Sequence, residues 1–283
     1  MKYAIGKFDP KLLITPEPFN SKAQGFTRSP LISHENGSVH MGVAISQLSP
    51  NGFIPTHIQI NERGIFILEG ELQLMIEDSA YLLKKDDYAL IPYGKKQTFL
   101  NIGVDNARWF DMQSPQPKPI GHWKDIHFQE DQPWPNDIHA INPDLGQQPY
   151  VGQFKEQYNN LLHAPGVNGL NVQRFIHQQF GASQFNMMRG VLLKDGNRGY
   201  HDHPIEESYF VLSGQAIMEI EGQSFKLNAG DFAWTGVGTS HAFSQAGAEP
   251  FRWLETQAPQ FPSHHGIRNF VDWDLQMAAN RSS

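Results

Sequence analysis

Residues 48–116 recur without a gap at 192–260, and this repeat at a fixed offset of 144 constrains the fold more than any other feature of the chain. His57 falls on His201, Glu62 on Glu206, Phe66 on Phe210, Leu68 on Leu212, Gly70 on Gly214, Asp87 on Asp231, Gly94 on Gly238 and Phe99 on Phe243. Farther on, Gly103, Arg108, Trp109, Gln113, Pro115 and Gln116 match Gly247, Arg252, Trp253, Gln257, Pro259 and Gln260. A match of this length is a duplicated domain. The 283 residues suit two domains of roughly 100–150 residues, each large enough to bury a core.

Each copy reads as β-structure. In the first, short apolar runs at 39–48, 65–68, 72–76, 81–83 and 88–92 alternate with turns such as Ser49-Pro50-Asn51-Gly52, and 172–176 and 185–193 open the second. Many short strands at short intervals fit an all-β sandwich or barrel. Residues 1–38 hold Pro10, Pro16, Pro18 and Pro30 and no helical period, so an extended arm is expected there. The first lobe is then expected over 39–118, a connector over 119–165, the second lobe over 166–262 and a tail over 263–283. The connector is too rich in aromatic and apolar residues for a free linker. It is expected to pack across the lobe interface. No function is assigned to its His122, His127 and His139, nor to the tail's His264 and His265.

The second copy carries a set of metal-ligating side chains. His201 and His203 lie two apart, so on a strand they face the same way, Glu207 adds a carboxylate four residues on, and His241 follows one strand pair later. Three imidazoles and one carboxylate suit a divalent transition metal that accepts five or six ligands, leaving positions for substrate or dioxygen. Cysteine is absent, which rules out disulfides, thiolate nucleophiles and Cys-rich zinc sites.

At these positions the sequence resembles the cupin superfamily. The family's first motif is His-x-His, three residues, Glu, six residues, Gly, and here it reads His201, His203, Glu207 and Gly214. The second runs here from Gly230 through Gly236 and Gly238 to His241 and Gln245, with Gly236 in place of the family's Pro and Gln245 in place of its Asn. Neither departure touches a ligand of the family. The resemblance, to a two-lobed cupin, implies two tandem double-stranded β-helix (jelly-roll) barrels. It also implies one divalent ion held by His201, His203, Glu207 and His241, with Fe or Mn the leading identities and Ni, Zn or Cu as alternatives.

The first copy keeps His57 but places Gln59, Arg63 and Gln97 where the second has His203, Glu207 and His241. A guanidinium stays protonated and repels a cation, so a structural lobe without a metal is expected, with a small anion on Arg63 and His57 as the alternative. In the second copy strand parity turns Tyr209 and Val211 to the side of Glu207, and Phe243 and Gln245 to the side of His241, as candidate pocket lining. No catalytic residue is assigned.

The expected function is a dioxygenase acting on a small aromatic or dicarbonyl compound. Lewis-acid chemistry (an isomerase, decarboxylase or hydrolase) and non-catalytic ligand binding are the alternatives, because two-lobed cupins are known in both enzyme classes. Of these, the resemblance to ureidoglycine aminohydrolase fails in the order of its ligands. The formal charge of −7 with no basic run argues against nucleic acid or an anionic membrane surface as partner. No apolar stretch reaches signal or membrane-span length, so a cytoplasmic protein with a small-molecule substrate is expected, with a homodimer left open.

Overall fold

A computed structural model describes residues 2–119, 124–142, 148–158, 161–260 and 268–269. His122 of the connector and His264 and His265 of the tail lie outside them. The chain divides into two compact units, one of 8–155 with 176–185 and the other of 1–7, 156–175 and the residues from 186 onward. Among the described residues each is built on an 11-stranded sheet. No helix among those residues is long and apolar enough to cross a membrane.

The repeat is structural. In the first lobe the strands Glu62–Glu69, Glu71–Ile76, Ser79–Lys84, Asp87–Ile91 and Ala107–Ser114 have counterparts displaced by 144 residues. These are Glu206–Ser213, Gln215–Ile220, Gln223–Asn228, Asp231–Thr235 and Phe251–Ala258. Correspondence begins earlier than the sequence match, because Gln24–Ile32 and Val167–Ile176 each pair antiparallel with the next long strand or lie in the same sheet as it. Too few identities survive there to show it. Residues 1–38 are therefore shared out: Tyr3–Lys7 pairs with Asp231–Thr235 of the second lobe, while Gln24–Ile32 pairs with Gly42–Gln59 of the first. Much of the connector also joins the first lobe's sheet, with Ile126–Phe128 on Gly42–Gln59, Ile138–Ala140 on Ser79–Lys84 and Val151–Gln153 on Asp87–Ile91.

Local sequence accounts for these elements. Gln215–Ile220 alternates, with Ala216, Met218 and Ile220 buried in the second core, and it turns back at Glu221 and Gly222, both at positive φ, into Gln223–Asn228. Gly214 has φ of +77°, and a Cβ there would lie 2.3 Å from the carbonyl oxygen of Pro250. Gly70 makes the same approach to Asn106. The glycine common to both repeats is thus imposed by backbone crowding. Inside the second lobe Phe243 stacks on Trp253 with centroids 5.8 Å apart, and Val211, Phe251 and Leu227 complete the apolar core next to His241.

Candidate metal centre

Three strands bring the four expected ligands together. Asn186–Asp202 carries His201, with His203 just past its end, Glu206–Ser213 carries Glu207, and His241–Gln245 begins with His241. His201 and His241 are direct cross-strand partners. One potential ligand atom from each of the four residues lies within 4.8 Å of the others, and all four side chains are buried. Among the described residues no other group of three or more His or acidic side chains is placed to share an ion.

Each imidazole is pinned by its own backbone. Nδ1 of His201 donates to the carbonyl of Gly199 at 3.0 Å, that of His203 to Ile205 at 3.0 Å and that of His241 to Thr239 at 2.9 Å. With Nδ1 protonated, each neutral ring turns a bare Nε2 lone pair into the cluster. Glu207 Oε2 stands 2.7 Å from Nε2 of His203 and 3.2 Å from that of His241. The approach to His203 lacks hydrogen-bond alignment, so that nitrogen has no true partner among the side chains around it. The hydroxyl of Tyr209 touches Glu207 Oε2 and lies 3.0 Å from Nε2 of His241.

Five electron-pair donors therefore converge in a buried space with one hydroxyl proton among them. Such a set repels itself unless a cation sits within it, and a divalent ion fits this donor chemistry. Without one, a proton is the substitute. Burial by itself would lower the His203 pKa, but the Glu207 charge overrides it and holds the imidazole above its ordinary value. Burial likewise opposes ionisation of Glu207, and His203 and His241 more than reverse it, keeping the carboxylate well below the usual range. His201 is pushed down to about 3, first by burial and then by the neighbouring His241 and Arg198.

A second layer holds Glu207 in place. Gln257 donates from Nε2 to Glu207 Oε1 and to Glu255 Oε1, each at 2.7 Å, and Trp253 Nε1 donates to Glu255 Oε2 at 2.9 Å. Burial, followed by the nearby Glu207 charge, raises Glu255 to about 8, so at neutral pH it is mostly protonated. Arg198 pairs across the sheet with the inward-facing Phe243, and its half-buried guanidinium is within electrostatic reach of Glu207, Tyr209 and Glu255. Sequence reasoning missed Glu255 and Arg198. The repeat contains the signal for both, since Glu255 falls on Asp111 and Arg198 on the core residue Ile54.

Of the expected pocket residues, Tyr209 reaches the cluster itself. Val211 and Phe243 do face inward, but as packed core below it. Gln245 is turned away: its amide donates to the carbonyls of Gly247 at 2.7 Å and Glu249 at 2.8 Å, closing a turn, because the loop leaves two carbonyls unpaired beside it. Its amide is thus committed to that turn.

The first lobe shows what occupies the same place when the carboxylate and two of the three imidazoles are replaced. Arg63 donates from Nε to Asp111 Oδ1 at 2.8 Å, from Nη2 to Oδ2 at 2.5 Å and from Nη1 to Gln97 at 2.9 Å, while Gln113 donates to Gln59 at 2.9 Å. The guanidinium fills the position of the second lobe's ligand carboxylate and pairs with the counterpart of Glu255. His57 donates from Nδ1 to Pro55 at 2.8 Å among the rings of Phe19, Phe99 and Phe128, and burial above all lowers it to about 3. Neutral, and with only a lone pair on Nε2, it has nothing to donate to an anion.

Comparison with known proteins agrees with this geometry. The cupin domain model matches twice, at residues 44–113 and 191–256. No curated protein sequence matches. Among solved structures, a protein of Pseudomonas aeruginosa described as glyoxylate-induced superposes with a TM-score of 0.70 at 17% identity, covering 93% of this chain and 91% of its own. A single-residue variant of Bacillus subtilis oxalate decarboxylase gives 0.67 at 14%, covering 97% and 83%. Salicylate 1,2-dioxygenase from Pseudaminobacter salicylatoxidans gives 0.63 at 14%, covering 81% and 75%. At such identities the likeness is one of fold, and with the doubled domain match it gives this chain two tandem cupin domains, the second of which carries the His–Glu cluster.

Proposed function

We propose that the protein is a metal-dependent enzyme acting on a small organic carboxylate, with dioxygenase chemistry as the leading reaction. The observation that carries this reading is the convergence of three Nε2 lone pairs, Glu207 and Tyr209 on one buried point, within electrostatic reach of the half-buried Arg198 guanidinium. Fe or Mn bound there would supply dioxygen activation or polarisation of a substrate carbonyl. The protein's own groups do the rest. Nδ1 bonds to Gly199, Ile205 and Thr239 fix the imidazoles before any ligand arrives, and Gln257 fixes the Glu207 carboxylate. Arg198 offers a cation suited to bind a substrate carboxylate next to the cluster. Phe243, Trp253 and Val211 exclude water from beneath it. Protonated Glu255, one amide away from Glu207, stores a proton at neutral pH.

Two of the structural relatives act, by their names, on oxalate and salicylate, both carboxylates. One is a decarboxylase, and the buried proton on Glu255 keeps decarboxylation as the second reading. Protein loaded separately with Fe(II) and Mn(II) should turn over a member of a panel of hydroxybenzoates and short dicarboxylates. Oxygen uptake matched to substrate loss selects the dioxygenase; carbon dioxide release without oxygen uptake selects the decarboxylase. Arg198→Met should raise the KM for the carboxylate by about tenfold or more. Full activity in that variant, or turnover of esters and acids alike, would remove the carboxylate from the reading.

A further inference from the structure

Tyr209 stands among the ligands, where a barrel lining residue would have no need to be. Its ring packs on Phe243 with centroids 5.0 Å apart, and this directs the hydroxyl up from the apolar floor into the cluster. There it contacts Glu207 Oε2 and comes within 3.0 Å of Nε2 of His241. These are the two atoms that face the metal position, since Nδ1 of His241 and Oε1 of Glu207 are already committed to Thr239 and Gln257. Ligand atoms bound at about 2.1 Å from one ion at right angles lie about 3 Å apart. The separations of Glu207 Oε2 from the two imidazoles, 2.7 and 3.2 Å, are of this size, and so is that of the Tyr209 oxygen from His241.

Ordinary hydrogen bonding does not account for the placement. A phenol has one proton, and two of the groups around this oxygen are acceptors, Glu207 as carboxylate and His241 through its lone pair, while the Thr235 hydroxyl is placed to donate to it. At most one of the two contacts can be a full hydrogen bond. The second leaves two lone pairs facing each other in a buried site, a cost that a shared cation removes. In the first lobe, where Arg63 brings its own positive charge, the matching residue is Ile65, packed in the core with no oxygen at all. The hydroxyl appears only in the repeat that has the ligands.

The structure assigns Tyr209 as a fifth protein donor to the metal, a phenolate ligand beside His201, His203, Glu207 and His241. This rests on the metal-binding reading above. On coordination the O–H bond breaks, the oxygen keeps the electron pair and shares it with the ion, and the proton leaves to solvent, as for any acidic ligand. No oxidant or reductant is needed. A substrate that chelates a bound ion through two atoms would compete with the tyrosine for its place.

Phenolate bound to a ferric ion gives a charge-transfer band in the visible that histidine and carboxylate ligands do not. Protein loaded with Fe(III) should be coloured, and Tyr209→Phe should keep its metal and its cooperative melt but lose the band. Resonance Raman excited in the band should show the ring modes of coordinated tyrosinate. Retention of the band in Tyr209→Phe, or iron binding by the wild type without it, would overturn the assignment while leaving the four-ligand site intact. Failure of the wild type to bind any metal would overturn both readings. Should Tyr209→Phe misfold, ring-deuterated tyrosine in the wild-type protein supplies the same decision, because coordinated tyrosinate must shift those Raman modes.

Discussion

At the scale of single residues, the two lobes solve one electrostatic problem with opposite signs. Asp111 and Glu255 are equivalent buried carboxyls, each receiving a tryptophan Nε1 proton. In the first lobe Arg63 neutralises Asp111, and burial's tendency to raise that carboxyl is overcome by the charges of Arg63 and Arg28, so it stays ionised. In the second lobe the equivalent of Arg63 is Glu207, and Glu255 therefore holds its proton. His57 adds a pH dependence that can be isolated. Its folded value of about 3 lies below the ordinary 6.5, so between those values the unfolded chain binds a proton that the native state does not. Stability contributed by the neutral ring is complete above pH 6.5 and is lost as pH falls toward 3, by at most about 1.4 kcal/mol per pH unit. His57→Leu should flatten the stability profile between pH 6.5 and 4.5 relative to wild type while leaving metal content unchanged. His201 shares the depressed value, so only the difference between the two proteins is diagnostic. Parallel profiles, measured by urea denaturation, would contradict the assignment.

At the scale of elements, the strand Tyr3–Lys7 reaches the ligands indirectly. It pairs with Asp231–Thr235, and the carbonyl of Lys2 accepts from the Gly236 amide at 2.7 Å and from the Thr239 hydroxyl at 2.8 Å. The carbonyl of Thr239 in turn holds Nδ1 of His241, and the Gly238 amide donates to the His203 carbonyl at 3.0 Å. One short turn thus connects the start of the chain to two metal-facing histidines. Deleting residues 1–7 should leave the β-rich circular dichroism in place, speed hydrogen exchange over 231–241 and weaken metal binding by about tenfold to a hundredfold, the range typical of losing a supporting contact. Unchanged affinity in the truncated protein would show that the turn holds itself. The arm expected from the prolines of 1–38 could not suggest this, because a strand's partner is chosen by edge complementarity and not by its own composition.

At the scale of the whole chain, duplication has produced two barrels, each with its own core of buried apolar side chains. The first is closed by Arg63 and Asp111, and the second rests on Phe243, Phe251 and Trp253 under the cluster. We therefore expect one divalent ion per chain, lost in His203→Ala and Glu207→Ala and kept in His57→Ala. Elemental analysis that finds two ions would contradict the role given to Arg63. Protein stripped with a chelator should stay folded and melt cooperatively, with the midpoint lowered only by the binding contribution. An apo protein unfolded at room temperature would make the ion structural.

The amino-acid sequence by itself determined the duplication, the β class, the strand that carries His201, the spacing to Glu207 and His241, and which copy holds the ligands. These follow from periodicity and local spacing, which survive in one dimension: parity puts His201 and His203 on one face, and the charge of Arg63 is legible without coordinates. Tertiary structure alone decided the rest. It brought Gln257 and Glu255 behind Glu207 from a strand some 50 residues away, set Arg198 inward opposite Phe243, and gave the chain's first strand to the second lobe. It also turned Gln245 onto a local turn and lifted the Tyr209 hydroxyl to the ligands, although strand parity treats the two alike. Parity states which face a side chain leaves from. How far it reaches, and which partner claims its polar end, depends on pairing between distant strands and on the competition for each buried donor and acceptor, which no local pattern records.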